Sequence, residues 1–301
     1  MEVIKKIDAH AHALAFPEYY PPNISSRYRF LSAPELIEIY DRLNIEAGIL
    51  LPVASCEAQS SPITSEACAY LASLYPNRFF WFCGVDPRAG RNSPNTDLSY
   101  FLEHYKSLGA KGVGELTAQL YADDPMTENL FAACAEANMP VTIHVSAKFG
   151  GGYGIVDELG LPRLEKMLKK YPDLKILGHS QPFWAEMSAD VTDETRRGYP
   201  EGKVTEGRLH SLMREYPNLY CDISAGSGKN AFMRDRDNAV RFIEEFSDRI
   251  LYACDICSVA NTFQYEFDEF LTDMRIKGEI SEESYRKIVR ENAIKLFELK
   301  L

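Results

Sequence analysis

The chain has 301 residues, of which 46% are hydrophobic, 26% charged and 12% aromatic, an ordinary globular balance that excludes long disorder. Its formal net charge of -11 leaves no Lys/Arg excess to neutralise phosphates, which excludes nucleic acid and anionic membrane surfaces as natural partners. No run of about 18 apolar residues occurs, so nothing reads as a membrane span. The opening MEVIKKIDAH, with Glu2 and a short apolar run, does not read as a signal peptide. Seven cysteines, an odd number, fit reduced, buried thiols, and the expectation is a cytoplasmic protein.

Short β-rich apolar runs recur along the chain, each followed by a helical pattern. Candidate strands begin near Val3 (VIKKIDAHA), Glu46 (EAGILLPV), Phe79 (FFWFCGVD) and Lys111 (KGVGEL). Four more begin near Val141 (VTIHVS), Lys175 (KILGHS), Leu219 (LYCDIS) and Ile250 (ILYACD). Their spacing of roughly 30 to 45 residues is that of βα units in a parallel sheet. Ser32 and Glu35 form a capping-box pattern opening PELIEIYDRL. Pro125 suits the first turn of a helix through FAACAEAN, and Asn138 ends it before Pro140. Further helical patterns span Thr96–Leu108, Leu161–Tyr171, Gly207–Tyr216, Asn238–Phe246, Asn261–Arg275 and Ser281–Leu301. The polar, irregular stretch Gln181–Val204 reads as an active-site loop with short helices. Eight such repeats can close into a (β/α)8 TIM barrel, one domain over residues 1–301. The rival is an open doubly wound sheet, which usually carries a Gly-rich phosphate turn after its first strand. Here that strand ends in DAHAHALAFP, and the barrel is the better fit.

In such a barrel, catalytic groups project from the C-terminal ends of the strands into one mouth. Four of the six histidines stand at predicted strand ends. His10 and His12, two residues apart, share a face of the first strand, and by the same rule Asp8 shares it. Two imidazoles there suit a borderline cation such as Zn2+. Glu115 ends strand four, His144 strand five, His179 strand six and Asp255 strand eight. Each alone is more often a satisfied structural group. Together they share one rim, where a dication would compensate carboxylates that are costly to bury. His104 and His210 instead fall within helical patterns (YFLEHYKSL and GRLHSLM) and read as helix-surface or interhelical residues. Cys254 and Cys257 bracket Asp255 in a C-x-x-C, too late in the chain for a thioredoxin-like redox pair; packed thiols are expected.

The DAHAH of Asp8–His12, the histidines ending strands five and six and the aspartate ending strand eight resemble the amidohydrolase superfamily over essentially the whole chain. The GHS of strand six with its Trp-containing loop, and the terminal ENAIKLFEL, are similar to the amidohydrolase-2 branch, which also contains non-oxidative decarboxylases. The resemblance implies one or two divalent ions held by His10, His12, His144, His179 and Asp255. Glu115, in GVGEL, departs from those decarboxylases and is similar to the strand of TatD-like members in which a glutamate is a ligand. With it, six ligands suffice for two ions; the alternative is a Glu115 paired with a nearby Lys or Arg.

The expected activity is that of a metal-dependent hydrolase, using metal-activated water on a C–O, C–N or P–O bond of a small, acidic substrate. Asp255 is the expected catalytic residue, taking the water's proton and delivering it to the leaving group. The alternative is a metal-dependent decarboxylase of an aromatic or muconate-type acid, and the remote alternative a non-catalytic metal-binding barrel. Zn2+ is the first expectation and Mn2+ the second. The glycine-rich Phe149–Gly154 presents N–H groups or acts as a mobile lid. Lys148 faces an acidic substrate or is a solubilising lysine. Trp184 stacks on a planar substrate or anchors its loop. Asp8 orients a ligand from behind or packs the strand end. ISAGSGKN after strand seven lacks the spacing of a phosphate loop. A homodimer is the expected assembly.

Overall fold

All eight predicted strands form. The computed structural model describes residues 3–21, 28–58, 62–150 and 152–301; Glu2, and Gly151 of the glycine-rich loop, lie outside them. The strands are β1 (Lys6–Ala11), β2 (Ile45–Leu50), β3 (Phe79–Trp81), β4 (Val113–Leu116), β5 (Val141–Ser146), β6 (Ile176–His179), β7 (Leu219–Asp222) and β8 (Ile250–Leu251). They pair in parallel and in chain order as two runs, β1 to β3 and β4 to β8. Main-chain hydrogen bonds bridge both seams. The Cys83 N–H donates to the Gly112 carbonyl and the Gly114 N–H to the Cys83 carbonyl, both at 2.9 Å. Across the other seam, Ala9 N–H donates to Tyr252 (3.0 Å) and Asp255 N–H to His10 (2.9 Å). The ring is closed, and the fold is the (β/α)8 barrel.

Ile7, Ala9, Ile49, Leu51, Phe82, Leu177 and Leu251 form one buried cluster inside the ring. Their neighbours Ala11, Leu50, Val141, Ile143, Ile176 and Ile250 belong to a second cluster with the helices. Strands buried on both faces carry nearly continuous apolar sequence, which is why they were readable. The capping box is present: the Ser32 N–H donates to Glu35 Oε2 at 2.8 Å at the start of the helix Ala33–Leu43. ISAGSGKN, which lacks the spacing of a phosphate loop, leads into a helix, Ala225–Met233. A two-residue strand, Ile155–Val156, was not anticipated and pairs with the end of β5. Among the described residues no helix is long and apolar enough to cross a membrane.

The stretch Gln181–Val204 does contain short helices, Gln181–Ala185 and Thr195–Arg197, but it is better anchored than a polar loop. Arg196 is fully enclosed; its Nη1 donates to the Asp157 carbonyl at 3.2 Å, and its Nη2 lies 3.6 Å from Glu186 Oε1. The buried Asp157 carboxylate accepts from the N–H groups of Glu158 (2.9 Å), Arg163 (3.1 Å) and Leu164 (2.8 Å). Burial outweighs these bonds and pushes its pKa from 3.8 up to about 7. Its stabilising contribution is therefore full below about pH 4 and lost as pH rises through 7, because the unfolded chain releases first the proton that the folded chain retains. Thermal melts between those limits are expected to show this slope in the wild type and a shallower one in Asp157→Asn. Equal slopes would refute the assignment.

Candidate metal centre

The first strand does not alternate simply. Asp8 pairs with Gly48 and Ala11 with Leu50, so β1 carries one residue more than β2 over this stretch, a bulge that re-aims side chains. This corrects the expectation that Asp8 shares the face of His10 and His12. Asp8 turns toward the helix Ala33–Leu43, where Tyr40 Oη donates to Oδ2 at 2.8 Å. Its Oδ1 accepts the N–H groups of His10 (3.0 Å) and Cys254 (2.8 Å), tying β1 to the end of β8. Burial raises its carboxyl to about 6.

His10 Nδ1 lies 3.0 Å from Asp222 Oδ2, and His12 Nδ1 lies 2.9 Å from the Leu51 carbonyl. A carbonyl only accepts, so His12 carries its proton on Nδ1 and turns the Nε2 lone pair inward. His10 likewise donates from Nδ1 to its carboxylate and turns Nε2 inward. The two Nε2 atoms are 3.1 Å apart.

Parallel register sets His144 on β5 directly beside His179 on β6, with ring centroids 5.0 Å apart. Ser224 Oγ lies 2.9 Å from His179 Nδ1, and His179 Nε2 is buried with no hydrogen-bond partner. Glu115 is delivered from β4 by Gly114, whose φ is +136° and where a Cβ would stand 2.7 Å from the Thr142 carbonyl oxygen. Only glycine fits there. Glu115 Oε1 lies 2.7 Å from His144 Nδ1 and 3.6 Å from His179 Nε2. Its Oε2 lies 3.8 Å and 3.6 Å from the Nε2 atoms of His10 and His12. Asp255 Oδ1 is 3.5 Å from His12 Nε2, and its Oδ2 is 3.8 Å from His179 Nε2. All six sequence-predicted ligands thus meet. They form three overlapping groups, His10–His12–Glu115, His10–His179–Asp255 and Glu115–His144–His179, with ligand atoms in each within 4.8 Å of one another.

Asp222 was missed. It ends β7 and sits behind the histidines, bridging His10 Nδ1 and, at 3.4 Å, His179 Nδ1. Burial alone would raise its pKa; His179 and His10 outweigh that and hold it well below the usual carboxylate range. Burial likewise disfavours charge on His10, but Asp222 and Asp255 prevail and its pKa lies well above the ordinary value. For Glu115, burial is outweighed by His10, His12 and His144, which hold it well below the ordinary value.

The donor set fits a divalent cation. The Nε2 atoms of His10 and His12 converge to 3.1 Å, close to the roughly 3.4 Å that separates two nitrogens on a tetrahedral ion with N bonds of about 2.1 Å. The unpartnered, buried His179 Nε2 is a polar group that otherwise lacks compensation. Three carboxylates, Glu115, Asp222 and Asp255, surround the imidazoles and supply the negative charge that a dication balances.

His104 is exposed on the helix Ser99–Ser107, and His210 is buried on Arg208–Glu215 with its ring 5.1 Å from that of Phe242; both are helical, as expected. Cys254 and Cys257 are free thiols. A cavity of about 340 Å3 opens beside His144, lined by Lys148, Tyr153, Gln181 and Arg197 among others. Lys148 is exposed there, the Tyr153 ring lies 4.5 Å from that of His144, and Arg197 was not anticipated. Trp184 is 2% exposed, donates from Nε1 to the Asp222 carbonyl at 3.2 Å, and packs on Phe232 and Phe242. This corrects the expectation of substrate stacking: the ring has no open face and is the anchor of its loop.

A closed (β/α)8 barrel with a ligating cluster at the C-terminal rim defines an enzyme of the metal-assisted barrel class. A family model described as Amidohydrolase matches residues 7–299. The chain belongs to this amidohydrolase family. No curated protein sequence matches it. Among solved structures it is similar to 2,6-dihydroxybenzoate decarboxylase from Rhizobium, with 16% identity and a TM-score of 0.63 over 98% of this chain and 99% of that one. It is also similar to a probable 2-pyrone-4,6-dicarboxylic acid hydrolase from Acinetobacter baumannii, with 16% identity and a TM-score of 0.62 over 98% and 100%. A third is 5-carboxyvanillate decarboxylase from Novosphingobium aromaticivorans, complexed with manganese, with 18% identity and a TM-score of 0.61 over 98% and 96%. At these identities the likeness speaks to the fold.

Proposed function

We propose that the protein is a metal-dependent hydrolase that holds two divalent ions and acts on a small acidic molecule. The observation that carries this reading is the placement of Glu115. One oxygen faces His10 and His12, and the other faces His144 and His179, so a single carboxylate spans two ligand groups. Bound divalent ions supply Lewis acidity and lower the pKa of coordinated water from about 15.7 toward about 7. Asp222, Ser224 and the Leu51 carbonyl fix the ring orientations of His10, His179 and His12, as partners behind ligands do. Asp255, with both oxygens turned to the histidines, accepts a proton and returns it to the leaving group. Lys148 and Arg197, in the cavity beside His144, offer positive charge to a substrate carboxylate. The imidazole-rich donor set favours Zn2+, with Mn2+ second.

The same cationic cavity, and the decarboxylases among the fold's neighbours, support a second reading, non-oxidative decarboxylation of an aromatic acid on one ion. Elemental analysis decides between them when combined with a screen of esters, lactones, amides, phosphoesters and hydroxybenzoates. Hydrolysis predicts two ions in the wild type and about one in Glu115→Gln. One ion in both, with CO2 released from a hydroxybenzoate, would overturn it; no ion in either would sink both readings.

A further inference from the structure

Three of the six ligating side chains are held from behind: His10 by Asp222, His12 by the Leu51 carbonyl and His179 by Ser224. For Asp255 the corresponding group is a thiol. Cys257 Sγ lies 3.1 Å from Asp255 Oδ1 and 3.6 Å from the Asp255 carbonyl oxygen. Among the described residues no other hydrogen bond reaches that carboxylate. Cys257 is half-buried and is itself fixed by a closed turn. Its N–H donates to Asn261 Oδ1 at 3.0 Å, the Asn261 N–H to the Ser258 carbonyl at 3.0 Å, and Gln264 Nε2 to the Asn261 carbonyl at 3.0 Å. The Asp255 backbone is pinned by its N–H bond to the His10 carbonyl and has a φ of +49°, but neither feature sets the side-chain torsions. The second sulfur of the C-x-x-C is turned elsewhere, with Cys254 Sγ 3.8 Å from Tyr252 Oη. Cys257 joins none of the three ligand groups.

We propose that Cys257 is a positioning residue: its S–H donates to Asp255 Oδ1 and holds the carboxylate where both oxygens face the histidine Nε2 atoms. This rests on the metal-centred reading above. The test is titration of metal-free wild type, Cys257→Ala and Cys257→Ser with cobalt(II), followed by visible d–d absorption. Cys257→Ala is expected to bind cobalt about tenfold more weakly, the lower end of the effect of removing a partner behind a ligand. Cys257→Ser keeps a donor and recovers most of the affinity. The wild type shows no near-ultraviolet thiolate-to-cobalt charge-transfer band. If Cys257→Ala does not fold, Cys257→Val, which fills the volume without a donor, stands in for it. Unchanged affinity in the donor-less variant overturns the inference alone, as does a Cys257→Ser as weak as Ala. A charge-transfer band abolished by Cys257→Ala makes the sulfur a ligand and overturns it too. A wild type that takes up no cobalt overturns the metal-centred reading, and this inference with it.

Discussion

Asp255→Asn is expected to lower kcat by about 1,000-fold, the middle of the range for a positioned proton-transfer group, while leaving most of the bound metal in place. The amide matches the carboxylate in shape and retains an oxygen for the cluster, but it cannot accept a proton and return it. The two ligand groups that lack it, His10–His12–Glu115 and Glu115–His144–His179, stay intact. Metal content and kcat measured on one preparation separate the two roles. Full activity would remove Asp255 from the chemistry, and loss of metal in step with activity would reduce it to a ligand.

Asp222→Ala should have the opposite signature. Its carboxylate serves His10 and His179 together, so its removal frees the His10 imidazole to rotate and leaves His179 held by Ser224 alone. Metal affinity should fall about 10- to 100-fold. The metal-free protein should lose about 3–5 kcal/mol, the usual cost of breaking a buried ion pair by removing one partner. Competition against a chelator measures the first and denaturant unfolding the second. Unchanged affinity would make Asp222 a bystander of the site.

The rim was legible because a histidine or carboxylate ending an apolar strand is an unusual pattern, and parallel register turns that pattern into proximity, as His144 and His179 show. What was hidden has physical causes. The bulge in β1 shifts register by one residue without altering composition, so Asp8 was assigned the wrong face. Asp222 ends its strand and Asp255 follows its own, and nothing local distinguishes a carboxylate behind the histidines from one in front. Trp184 and Arg196 stand in a polar stretch whose hydrophilic neighbours mask their burial, and Arg197 reaches the cavity only because that stretch folds back over it.

The packing of Trp184 on Phe232 and Phe242 reaches beyond its own loop. The segment could swing outward only by returning that buried indole to water, which costs apolar burial, so the Trp184 side of the mouth behaves as a wall. The bank left open to change is then the one lined by Lys148 and Gly150, both exposed. Efforts to redirect the protein toward new compounds should diversify that bank first and leave the wall intact.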